Sequence, residues 1–131
     1  MNNDLTNKLL SIESGEIVDG IDATEEIKDL LERGKEFRDD HPTKKKGEPN
    51  QCHRNVSIFY ANTLKKLKKS NWKIVTGYAI SDGKWVAHSW LLNTTYNSIS
   101  ETVKIKFQAY YGYVLTCEES EKFCDNEGVI M

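Results

Sequence analysis

The chain is 131 residues long, within the usual size of one domain and enough to bury one core but not two. Its 38% hydrophobic and 29% charged residues exclude a disordered chain, and a formal charge of -2 excludes a global positive field for nucleic acid or anionic membrane. No apolar run approaches a membrane span and MNNDLTNKLL has no leader pattern, so a cytoplasmic, non-exported protein is expected.

Residues 22–41, DATEEIKDLLERGKEFRDDH, place Ile27, Leu30, Leu31 and Phe37 on one helical face. Asp22 as N-cap and Glu25 in a capping box predict a helix that Pro42 stops. The TKKKGEP stretch that follows is basic and holds Gly and Pro, which predicts a surface loop. Its lysines fit either solvation, the commoner case, or a phosphate or acidic-partner contact. A second helix is predicted to start near Asn50 and to run to about residue 69. Along it Cys52, Val56, Tyr60, Thr63 and Leu67 recur at spacings of three and four, aligning the cysteine with the buried stripe.

After Ser70 the hydrophobic period changes to two. WKIVTGYAI, an Asp82-Gly83 turn and KWVAHSWLL predict a β-hairpin. A polar turn within NTTYNS, a third strand SISETVKIKF and a fourth around YYGYVLT follow. Thr116, with Glu119 three residues on, predicts a capped last helix through CEESEKF. The expected fold is one α+β domain over residues 1–131, with N-terminal helices packed on an antiparallel β-meander of about four strands. Within it, residues 1–48 are the helical segment and basic loop, 49–115 the core, and 116–131 a short helix and tail. Trp72, Tyr78, Trp85, Trp90, Tyr110, Tyr111 and Tyr113 are expected mainly in the core, although Tyr110 to Tyr113 around Gly112 could rim a pocket.

A cysteine nucleophile needs a thiolate, which a helix N-terminus and a neighbouring imidazole both favour. With Asn50 as N-cap, Cys52 falls in the first turn, where amides without intrahelical partners could also hold an oxyanion. The alternative is a small packing cysteine. Alternation in KWVAHSWLL puts His88 beside Val86, Trp90 and Leu92. In the next strand Glu101 shares a face with Ile99, Val103 and Ile105, and a carboxylate there calls for a partner. A turn centred between Thr94 and Thr95 pairs residues whose numbers sum to 189, setting His88 opposite Glu101, whereas a turn shifted to Tyr96 and Asn97 separates them. A structural His/Glu pair at a sheet edge fits the same residues.

His53 points about 100° away from Cys52 around the helix, which suits a surface contact better than a base. Three cysteines with no close CxxC pair make neither a disulfide framework nor a zinc pattern, and Cys117 and Cys124 are expected to pack. A metal site from Cys52, His53 and His88 lacks a fourth ligand of suitable spacing, so neither metal nor cofactor is expected.

QCHRN, AHSW and ISET, in that order, resemble the papain-like cysteine hydrolases, especially their transglutaminase-like branch. They are also similar to small bacterial and phage proteins with a Cys-His-x-Asn, His-Ser-Trp and Glu-Thr pattern. The likeness spans residues 49–115 and implies a cysteine-bearing helix packed on an antiparallel sheet that carries histidine and then an acid. By that likeness Cys52 is the nucleophile, His88 the base and Glu101 the group that orients the imidazole. Glu101 stands where the branch usually has aspartate, and the chain has little room for the extra lobes of larger members. Gln51 resembles the oxyanion-hole glutamine of papain relatives, although that residue normally lies farther upstream.

Gln51, Asn55, Trp90 and Tyr111 complete the candidate substrate-binding set. The expected function is cysteine-dependent acyl transfer on an amide: peptide or isopeptide hydrolysis, deamidation or transamidation. The partner is then a protein, peptide or small amide substrate. The alternative is a non-catalytic phage or bacterial binding module that captures a small ligand or inhibits a host factor. A structural domain of a larger assembly is a third possibility.

Overall fold

A computed structural model of the chain describes residues 3–18, 24–39, 42–44, 47–49, 51–66 and 71–129. Four helices and seven strands are found among them, giving a mixed α+β fold whose sheet is mostly antiparallel. The chain divides into two units. One comprises Met1–Asp40, Thr76–His88 and Ile105–Tyr113, and the other His41–Val75, Ser89–Lys104 and Val114–Met131.

In the first unit, α1 (Asn3–Ile12) buries Leu5 and Leu9, one turn apart, and packs against α2 (Thr24–Arg33), which buries Leu30. The leucine spacing was the available signal for α1. Helix α2 stops at Arg33, well short of the expected residue 41, and Phe37 lies in a strand, β2 (Lys35–Phe37). Gly34 explains the stop. Its amide still bonds the Leu30 carbonyl at 3.0 Å, but a Cβ there would collide with that carbonyl and the Tyr111 ring. The chain therefore turns against Tyr111, whose hydroxyl donates to the same Leu30 carbonyl. Asp22, the expected cap, lies outside the described residues.

The hairpin forms as predicted from β4 (Trp72–Ser81) and β5 (Lys84–Asn93). Asp82 and Gly83 join the strands at φ of 52° and 73°, the left-handed pair that a tight twisted hairpin needs. The first unit's strand order is β2-β7-β4-β5, where β7 is Ala109–Val114, and β1 (Glu16–Ile17) lies parallel on β5. Strand β7 is inserted between β2 and β4, so the expected meander ends before it. Bonds from the Gln108 amide to the Ile80 carbonyl and from the Leu115 amide to the Ile74 carbonyl, 2.8 and 2.9 Å, flank it along β4. Tyr78, Trp85, Tyr110 and Tyr111 fill this unit's core, and the Trp85 indole donates to the Glu13 carbonyl at 3.0 Å.

In the second unit, β6 is only Ser98–Glu101. The predicted third strand was to reach Phe107, yet the backbone bends at 102–104 and Ile105, assigned to the apolar face, is 42% exposed. Strand β3 (Thr43–Lys44) falls within the expected surface loop and pairs parallel with β6. Lys45 and Lys46 lie outside the described residues. Helices α3 (Cys52–Lys66) and α4 (Cys117–Asn126) pack together. The Cys124 thiol lies 3.8 Å from the Ser57 carbonyl, and Arg54 donates to the Glu127 carbonyl at 2.9 Å. The predicted capping box of α4 is complete, with Glu119 N–H donating to Thr116 Oγ1 at 3.1 Å and Thr116 N–H to Glu119 Oε1 at 2.9 Å. Among the described residues, no helix is long and apolar enough to cross a membrane.

Candidate functional site

Helix α3 begins one residue later than expected. The Asn55 amide donates to the Gln51 carbonyl at 2.8 Å, which makes Gln51 the N-cap and Cys52 the first helical residue. Asn50 lies outside the described residues. Cys52 is half-buried and outside any disulfide, at the head of a stripe in which Val56, Tyr60 and Thr63 are buried. The first turn contains no acidic side chain, so the helix-end amides and dipole act on the thiol without an opposing carboxylate from that turn. Gln51 is exposed beside it.

Asn55 secures this helix start. Its Oδ1 accepts from the Glu48 amide at 3.1 Å and its Nδ2 donates to the Glu48 carbonyl at 2.8 Å, so the side chain pairs with loop backbone as a strand would. Both ends of the amide are engaged, which gives Asn55 a clamping role, and the residue also lines the adjacent cleft. Gly47 permits the fit, because a Cβ there would lie 2.5 Å from the Thr102 carbonyl and 2.6 Å from Asn55 Nδ2. Beyond the clamp, a cleft of about 400 Å3 opens between the Gly47-Glu48 loop, the α3 residues Ile58, Phe59 and Asn62, and Thr102.

His53 is not the surface residue expected from its place beside Cys52. Its Nδ1 is 2.6 Å from Ser89 Oγ, and its ring meets the Phe123 ring edge-on with centroids 5.7 Å apart. The sequence offers His53 as a surface contact, a poor base for Cys52 or a metal ligand, and gives no sign of the pairing with Ser89, which joins residues 36 positions apart. Thr102 was also missed. It was read on the polar face of the third strand, yet Ser100 and Thr102 on that face are both buried.

Glu101 is the last residue of β6 and 0% exposed. The β5–β6 register pairs Leu91 with Ser100, Leu92 with Ile99 and Asn93 with Ser98, each pair adding to 191. That register sets Trp90 opposite Glu101, the place expected for His88. The turn is centred one residue later than the 189 register required. Asn93 Oδ1 accepts from the Thr95 and Tyr96 amides at 3.0 and 3.4 Å, and Asn97 takes a left-handed φ of 52°. Together these hold a four-residue turn between Asn93 and Ser98.

Cys52, Gln51, Asn55, Trp90 and Glu101 belong to the second unit, and His88 and Tyr111 to the first. His88 is 3% exposed, its ring tilted by 36° against Phe107 with centroids 4.4 Å apart, and 6.3 Å from Tyr110. Trp90 is a fully buried core residue. Tyr111 is buried against α2, and burial pushes its phenol above the ordinary tyrosine value. These contacts give Tyr111 a structural role in place of a pocket rim. No protein-family model, curated protein or solved structure matches the chain. Among the described residues, no group of three or more His, Cys, Asp or Glu side chains is arranged to hold a metal ion.

The three thiols differ in access. Cys117 is exposed and Cys124 is buried. Burial raises the Cys124 thiol above its usual range, an effect the neighbouring Ser57 partly opposes. Burial likewise raises the Tyr60 phenol.

Proposed function

We propose that the chain is a cysteine-dependent acyl-transfer enzyme acting on an amide, built on a papain-like, transglutaminase-like core and working in the cytoplasm. The observation that carries this reading is the place of Cys52, half-buried as the first residue of α3 with no carboxylate in the first turn. His88 as base and Glu101 as the orienting acid follow from the order of the motifs QCHRN, AHSW and ISET. Their burial supports the assignment, because ionisable side chains withdrawn from water are common where their chemistry is used.

In this reading the Cys52 sulfur forms a bond to the amide carbonyl carbon while the histidine holds the thiol proton. The tetrahedral oxyanion then collapses, the carbon-nitrogen bond breaks, and the imidazolium proton leaves with the amine. Water or an amine attacks the resulting thioester and regenerates the thiol. Hydrolysis, deamidation and transamidation share the first half and differ in the amine released or the second nucleophile.

Iodoacetamide labelling with mass mapping tests the reading, and the other cysteines serve as internal standards. Cys52 is expected to label well below pH 8 and to slow in His88→Ala, while exposed Cys117 follows an ordinary thiol and buried Cys124 is protected. If Cys52 tracks Cys117 at every pH, the enzyme reading is lost. The second reading, a non-catalytic binding module, is favoured by the cleft along α3.

A further inference from the structure

We propose that the cleft beside α3 is a binding site for an alkylammonium group of the lysine side-chain type. The inference stands apart from catalysis at Cys52. Thr102 lines the cleft, is 2% exposed, and its Oγ1 has no hydrogen-bond partner among the described residues. A buried hydroxyl without a partner is costly, and natural structures usually leave one only where a ligand or water supplies the missing bond.

The other lining groups define what that ligand is. Among the described residues that line the cleft, Glu48 is the only charged one; it is exposed, and its carboxylate offers only acceptors. Asn62 adds an amide oxygen. Both ends of the Asn55 amide are engaged by the Glu48 backbone, which leaves the Asn62 amide and the Thr102 hydroxyl as the remaining side-chain donors among the described lining residues. The cleft is thus rich in acceptors at its polar end and suits a cation with several N–H bonds. Ile58, 39% exposed, and Phe59 form an apolar wall on which a methylene stem would lie. An anion would face Glu48, and a wholly apolar group would leave Thr102 without a partner. The volume of about 400 Å3 falls within the ordinary range of small-ligand sites, roughly 300–1,000 Å3.

The test titrates Nα-acetyl-lysine amide, with Nα-acetyl-norleucine amide as the uncharged comparison, into the whole isotope-labelled protein and follows backbone amide resonances. The lysine probe is expected to shift Ile58, Phe59, Asn62 and Thr102 and to bind about tenfold tighter than the norleucine probe. Thr102→Val should weaken the lysine probe by about tenfold while melting at or above the wild-type temperature, since it removes the unpartnered hydroxyl. Glu48→Gln should weaken it by about twofold to fivefold, as expected for an exposed ion pair, and flatten its salt dependence. Equal binding of the two probes overturns the proposal, as does unchanged affinity in Thr102→Val. Shifts centred on the acidic α4 surface at Glu118, Glu121 and Asp125 overturn it too, because they mark non-specific attraction of the ammonium group.

Discussion

Two helices of the same unit begin with a cysteine, and their surroundings differ. Cys117 opens α4 behind a complete capping box, and Glu118 and Glu119 place two carboxylates in its first turn. Cys52 opens α3 with no acidic residue in the first turn, and its approach is held by the Asn55 clamp on Glu48. A helix N-terminus favours an exposed negative charge by only about 0.3–1 kcal/mol, so nearby carboxylates and amides already used in capping are enough to cancel it. A cysteine at a helix start is therefore not a reactive site by position alone. The residues immediately around it decide whether a thiolate is welcome.

The largest expected effect comes from removing each sulfur in turn. Cys52→Ser should reduce amide turnover by about 10³-fold or more with little change in melting temperature, because oxygen nearly matches sulfur in volume. Cys117→Ser should leave turnover intact. Thioester trapping by intact mass, alongside thermal melts, separates the two. Loss of folding in Cys52→Ser would instead mark that side chain as core and make the two helix starts equivalent.

Glu101→Gln asks whether the difference between the cysteines extends beyond their own first turns. Turnover is expected to fall by about 10²-fold to 10⁴-fold in a folded protein, since an amide can orient an imidazole but does not stabilise its protonated form. Unchanged kcat would remove Glu101 from the mechanism and leave the first turn of α3 as the whole distinction.

The supports of the two helix starts can be broken separately. Gly47→Ala places a methyl against the Thr102 carbonyl and the Asn55 amide, and a loss of about 1–3 kcal/mol is expected in urea unfolding, with Cys52 labelling altered and Cys117 labelling unchanged. Thr116→Ala removes the α4 cap and should cost about 1 kcal/mol, without effect on Cys52. An equal disturbance of both thiols by either change would contradict independent supports.

The smallest effect concerns pH. Burial raises the Cys124 thiol above 9.0, so the folded chain keeps a proton that the unfolded chain begins to release near that value. Stability is therefore unaffected by this group well below pH 9.0 and declines as pH rises from there through the folded value. Urea midpoints measured from neutrality to beyond pH 9.0 should fall less steeply above that value in Cys124→Ser than in wild type.

Much of the candidate site could be read before its geometry. The three-and-four spacing from Cys52 through Val56, Tyr60 and Thr63 placed the cysteine on the buried stripe of α3, and that stripe is buried. Glu101 stood out as a carboxylate on an apolar face, and it is buried. The His53 contact with Ser89 and the burial of Thr102 were not legible, because both depend on which strand face is covered. Periodicity separates the two faces of a strand but does not say that both are covered.

What the sequence by itself determined are the features whose causes lie within a few residues. Asp82-Gly83 specifies the hairpin turn through its left-handed backbone, and Thr116 with Glu119 specifies the start of α4 through two reciprocal hydrogen bonds. Tertiary structure decided the end of α2, the insertion of β7 between β2 and β4, and the short span of β6. The β5–β6 register lies between these cases, since Asn93 and Asn97 select it locally but competing turn positions look alike in sequence. The end of α2 shows the physical reason most plainly: Tyr111 bonds the Leu30 carbonyl from 81 residues away and leaves room at the turn only for Gly34. A local pattern contains no information about a partner that arrives from that distance along the chain.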